Sequence, residues 1–244
     1  FLASRLIGKS QAKVALFVFC TFPSTMFLLA GYTEALFLTL VLLSFLLLEN
    51  KKHFLASIIG GLASMTRLVG VALVLPFLWL SAPPLKRLVY LAFVFSGITL
   101  YMVYLQFQFG DFLYFLKAQK AWCGAAGHCQ ITFPIASLLN SYSKPSLYPD
   151  FIDWALSVIF LGLLVPVLRR LGPVYFAYGF FVVLFPLFSG TSIAMSRYVI
   201  AAFPVFFVIP LLLRSKVAVA GLCGFLFFLQ IRFITLFTNR LFVA

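Results

Sequence analysis

The sequence predicts an all-α fold, a polytopic bundle of transmembrane helices, and three observations carry that expectation. Of 244 residues, 64% are hydrophobic and 9% charged, with a mean hydropathy of +1.14. A soluble core could not enclose that much apolar surface. The apolar residues form continuous runs, whereas a transmembrane β-barrel shows alternating segments of ~10 residues. The 18 Lys and Arg residues, against 5 Asp and Glu, fall in short clusters between the runs, as they do in cytoplasmic membrane loops. The net charge of +13 therefore reads as topology, and no nucleic-acid partner is expected. The chain starts at Phe1, shows no signal peptide and enters a span almost at once, so a preceding N-terminal segment is expected.

The apolar runs, in order, are 14–30, 35–48, 54–66, 68–81, 88–107, 152–168, 173–189, 198–213 and 217–237. They amount to about nine membrane segments in one domain, 1–244. With a cytoplasmic N-terminus, every inner loop is basic: Arg5, Lys9 and Lys13, then Lys51 and Lys52, Lys86 and Arg87, Arg169 and Arg170, Arg214 and Lys216. That is the positive-inside pattern. Glu34, Asp111, Asp150 and Asp153 then fall outside. Joining 54–81 into one helix would need about 42 Å at ~1.5 Å per residue, longer than the ~30 Å hydrocarbon layer. It would also flip every later loop. Two short helices meeting at Arg67 are expected instead, and such breaks are tolerated where irregular backbone lines a protein-enclosed or watery cavity.

In the first run Pro23 predicts a kink, with Ser24 or Thr25 able to satisfy the freed backbone groups. Gly60, Gly61 and Gly70 predict close helix approach. Glu34 interrupts apolar sequence between Gly31 and Phe37. A carboxylate so near hydrocarbon sits either at the water interface or in a polar cavity. Arg67, in Met65-Thr66-Arg67, falls on the same outer face, and so does Arg197, in Ser196-Arg197-Tyr198. Arg197 reads either as an interface anchor or, with Arg67, as a phosphate ligand, because a guanidinium makes bidentate contacts with phosphate oxygens.

Residues 108–151 form the longest piece outside the membrane. Asp111 is an N-cap candidate for a basic amphipathic helix ending at Trp122. That helix either lies in the interface plane or packs on the bundle. In the first case its lysines face anionic headgroups, and Tyr32, Lys117, Lys120 and Tyr198 are candidate headgroup contacts. Cys123 and Cys129 are disulfide candidates on an oxidising face; zinc would need two more ligands, and only His128 is near. Cys20 and Cys223 read as small buried hydrophobes, and His53 as solvated. No metal-ligand cluster is visible, which leaves the cofactor unknown and a divalent metal open. Walker, dinucleotide-loop, His-Glu-x-x-His and nucleophile-elbow motifs are absent from the sequence.

An ordered set of motifs carries a resemblance. Phe22-Pro23, Gly31-Tyr32-Thr33-Glu34-Ala35-Leu36-Phe37, Gly61-Leu62-Ala63-Ser64-Met65-Thr66-Arg67-Leu68-Val69-Gly70, Phe109-Gly110-Asp111 with Ala118-Gln119 and Trp122, Ser196-Arg197-Tyr198 and Phe203-Pro204 resemble prokaryotic members of the PIG-V family. These are relatives of GPI mannosyltransferase 2 in the GT-C superfamily, and the similarity runs along nearly the whole chain. It implies a GT-C-like bundle in the plasma membrane. It also implies transfer of mannose from a polyprenyl-phosphate-mannose donor to a lipid, glycan or protein acceptor, on the extracytoplasmic face and with inversion. The family's principal catalytic Asp, in the first outer loop, has no counterpart here. Glu34 resembles its second acidic position and Arg67 the basic residue at the helix break.

Two other classes compete. A lipid or solute transporter would also use broken helices and basic residues, but it predicts internal repeats and polar residues spread along several spans. A non-catalytic subunit of a glycosyltransferase complex would account for the missing Asp.

Overall fold

A computed structural model describes residues 1–118, 132–143, 150–213 and 215–239. Among these the regular structure is entirely helical. Helices α1 (Leu2–Ile7) and α2 (Lys9–Thr21) lead into a 3₁₀ turn, Pro23–Leu28. The expected kink at Pro23 is a full stop. Phe22 takes extended backbone, φ −66 and ψ 135, as a residue before proline prefers. The hydroxyl of Thr25 donates to the Phe22 carbonyl at 2.6 Å, and Gln230 donates to Thr25 Oγ1 at 2.8 Å and to the Cys20 carbonyl at 3.2 Å. These bonds meet the freed acceptors from within the bundle. Cys20 is exposed on the apolar surface rather than buried, and Cys223 is half-buried.

Helix α3 (Glu34–Glu49) is followed by α4 (His53–Thr66). At Arg67 the backbone is extended, φ −150 and ψ 139, before a 3₁₀ segment Leu68–Leu73 and α5 (Val74–Leu78). The run 54–81 is thus two short helical pieces joined at Arg67. Gly70 permits the sharp return, since a Cβ there would lie 2.6 Å from the Ala63 carbonyl oxygen and from Ser64 Cα. His53 is half-buried, not solvated, with its ring 6.2 Å from that of Tyr90.

The rest comprises α6 (Pro84–Phe109), α7 (Pro134–Ser143), α8 (Asp150–Leu171), α9 (Pro173–Leu187), α10 (Met195–Tyr198), α11 (Phe203–Leu212) and α12 (Lys216–Thr238). A 3₁₀ turn, Val199–Ala201, joins α10 to α11.

Among the described residues three helices are long and apolar enough to cross a membrane: Pro84–Phe109, Phe151–Leu171 and Lys216–Thr238. A fourth crossing results if the pair Met195–Ala201 and Phe203–Leu212, bent by 79°, counts as one. These mark an integral membrane protein, but fewer self-sufficient crossings than the nine apolar runs. The reason is length. At ~1.5 Å per residue, α3 with 16 residues reaches about 24 Å and α4 with 14 about 21 Å, short of the ~30 Å layer.

Small residues weld the interior. A Cβ at Gly97 would overlap the Gly61 carbonyl oxygen, and one at Gly61 the Phe93 carbonyl oxygen. Here α4 and α6 touch backbone to backbone, and the Ser64 hydroxyl donates to the Val94 carbonyl at 2.6 Å. Gly97→Ala is expected to cost about 1–3 kcal/mol of stability through overpacking, read as a lower melting temperature in detergent. Gly162→Ala, where the added Cβ meets open space, should leave the melt unchanged; equal melts would mean that the α4–α6 approach is looser than described.

Two polar ends result. At one, Tyr175 donates to Glu49 Oε1 at 2.7 Å and Arg5 donates to Asn50 Oδ1 at 2.7 Å, beside Lys51 and Lys52. Arg169 and Arg170, in the last turn of α8, lie at this end too, because the chain turns there into α9 and Tyr175. At the opposite end of α3 stands Glu34.

Candidate functional site

Glu34 is the first residue of α3, where the helix dipole favours a negative charge. It is only 3% exposed, and two arginines meet it. Arg67 Nη1 lies 2.5 Å from Glu34 Oε1. Arg197 donates to the same oxygen through Nε at 2.9 Å and Nη2 at 2.6 Å. The break between α4 and the 3₁₀ segment brings Arg67 there, and α10 brings Arg197. A buried carboxylate needs such partners, because an unpaired charge in a low-dielectric interior is costly.

Aromatic rings frame the guanidiniums. Arg67 stands 5.2 Å from the Tyr198 ring centroid, and Arg197 stands 4.4 Å from that of Tyr32 and 5.1 Å from that of Phe27. These are cation–π distances. The cavity between Glu34, Phe37, Arg67, Val69, Arg197 and Tyr198 holds about 10 Å³, room for no more than one water. Glu34 Oε2 is buried without a hydrogen-bond partner among the described residues. Arg67 and Arg197 remain partly exposed, at 15% and 21%, against 3% for Glu34. Two guanidiniums and one carboxylate leave the cluster with a net charge of +1.

The structure thus brings Glu34, Arg67, Arg197, Tyr32 and Tyr198 together. Arg197 is not a lone interface anchor, since it is tied to Glu34. Lys117 does not join them. Its ammonium lies 2.5 Å from Asp111 Oδ2 in an exposed pair, and Asp111 Oδ1 also accepts from the Leu113 amide at 2.9 Å. Lys117, with that amide, holds the Asp111 carboxyl below the usual carboxylate range. Lys120, Cys123, His128 and Cys129 lie outside the described residues. Among the described residues no three His, Cys, Asp or Glu side chains gather as a metal site would require.

One residue of this end escaped the sequence reading. Asp153, expected as an outer-face acid, is 1% exposed in the first turn of α8 and accepts hydrogen bonds from the amides of Ala194 and Ser196 at 2.8 and 2.7 Å. Its only local signal was an acid just ahead of an apolar run. Helix α7 docks beside it, with the Ser137 hydroxyl donating to the Leu187 carbonyl at 2.6 Å and the Ser192 amide donating to Ser141 Oγ at 3.1 Å. Comparison with protein-family models, with curated proteins and with solved structures finds no match to this chain.

Proposed function

We propose that this protein is an integral-membrane glycosyltransferase of the GT-C type, with the chain crossing the membrane as about nine segments. It moves a hexose, mannose by the resemblance, from a polyprenyl-phosphate donor to a lipid, glycan or protein acceptor on the extracytoplasmic face. The observation that carries this reading is the pair of arginines converging on one buried carboxylate. A polyprenyl-phosphate-sugar is a phosphodiester with one negative charge, which the cluster's net charge of +1 complements.

In the transfer, the bond between the anomeric carbon and the phosphate oxygen breaks, and its electron pair stays on the phosphate. Arg67 and Arg197 stabilise that growing charge, as preorganised cations do where charge develops. The acceptor oxygen bonds the anomeric carbon and releases its proton to a base. Glu34 holds both guanidiniums through Oε1 and offers Oε2 to orient the acceptor hydroxyl. The resemblance assigns the base itself to an Asp that no residue here matches.

Membrane vesicles carrying the full-length protein test this reading. With polyprenyl-phosphate-mannose in the outer leaflet, right-side-out vesicles should transfer sugar and sealed inverted vesicles should not. Movement of the donor across the bilayer without transfer would favour the transporter class; no transfer in either orientation would remove the enzyme reading.

A further inference from the structure

We propose that Asp153 is a positioning residue for Arg197, setting the guanidinium that binds the anion; this rests on the phosphate-site reading of the Glu34 cluster. The Asp153 side chain spends one oxygen on each of two backbone amides, Oδ2 on Ala194 and Oδ1 on Ser196. Between them Met195 is fully buried. Ala194 has φ +65, a left-handed conformation that residues with a Cβ adopt only when surroundings impose it. The bend is completed by the Arg197 amide, which donates to the Ala194 carbonyl at 3.0 Å. One hydrogen-bonded path therefore runs from α8 through residues 194–196 to Arg197 and across to Glu34 on α3.

Met195 and Val199 are fully buried and dock this segment by apolar contact. A carboxylate adds something else, because burying its charge is costly unless its oxygens are well bonded. In return it fixes two amides in direction and height. An Arg side chain is long, and a displacement of about 1 Å in its backbone is enough to spoil a catalytic alignment. Asp153 bonds the backbone of the turn that carries Arg197, so the turn links it to the anion-binding guanidinium.

A double-mutant cycle tests this, with a short isoprenyl monophosphate as probe and calorimetry on the full-length protein in detergent. The four proteins are wild type, Asp153→Asn, Arg197→Ala and the double variant, with a thermal melt of each. Asp153→Asn, whose amide can accept at only one of the two positions, should weaken probe binding roughly tenfold, about 1.4 kcal/mol. In the Arg197→Ala background the same change should weaken it less than about twofold, because the residue it serves is gone. Equal weakening in both backgrounds overturns the proposal and makes Asp153 a general scaffold residue. If Asp153→Asn does not fold, Asp153→Ser, which keeps a short acceptor without the buried charge, goes through the same cycle. Wild-type protein that binds the probe but transfers no sugar overturns the transferase reading and leaves the cycle to be read. Wild-type protein that does not bind the probe overturns both.

Discussion

In full-length protein, Glu34→Gln is expected to lower sugar transfer at least ~100-fold, the low end of what acid–base help or its electrostatic support contributes, while binding of an isoprenyl phosphate is kept or tightened. The amide keeps the size of the side chain and loses its charge. Arg67 and Arg197, both now held on Oε1, would face each other with a net charge of +2. The resting protein should therefore melt at a lower temperature, since removing one partner of a largely buried ion pair leaves the other charges uncompensated. An anion that bridges the guanidiniums should restore more of the melting temperature in this variant than in wild type. Transfer, probe binding and melting together separate the roles. Near-wild-type turnover would reduce Glu34 to a polar anchor at a helix start.

Arg67→Ala should reduce transfer by about 10²–10³-fold, the scale seen when one preorganised stabiliser of developing charge is removed. Arg67→Lys should recover only part of that loss. An ammonium can reach Glu34 as a point charge, but it has no planar fork with which to hold Glu34 and a phosphate oxygen at once, and no flat face for the Tyr198 ring. Initial rates over a range of donor concentrations decide the matter. A rise in KM alone would make Arg67 a ground-state donor ligand, whereas a fall in kcat places it in the transition state. Unchanged rates in Arg67→Ala would remove it from the site and shift the chemistry to Arg197.

The legibility of the site followed the physics of each residue. Glu34 and Arg67 stood out because a charge inside apolar sequence is rare and demands a reason. The break at Arg67 was readable because the run around it was too long for one crossing and too short for two full ones. Asp153 was hidden because an acid at the start of an apolar run looks like any interfacial residue. Its burial depends on the 190s segment folding over it. Lys117 behaves in the opposite way: Asp111, close by in sequence, accepts the Leu113 amide as a capping residue does and also holds the lysine in an ion pair.

The sequence by itself determined the class: helical, membrane-embedded and broken at Pro23 and Arg67. Composition, run length and proline chemistry are local properties, and no fold is needed to read them. It also placed Glu34, Arg67 and Arg197 at the ends or breaks of apolar runs. Only the tertiary structure decided that they touch. Glu34 and Arg197 are separated by 163 positions, and the pairing depends on how α3, α8 and α10 pack, with Asp153 fixing the turn that carries Arg197. No local pattern encodes that turn, because its amides are bonded by a side chain 41 and 43 positions away and its left-handed residue is an alanine, which by itself prefers to be elsewhere.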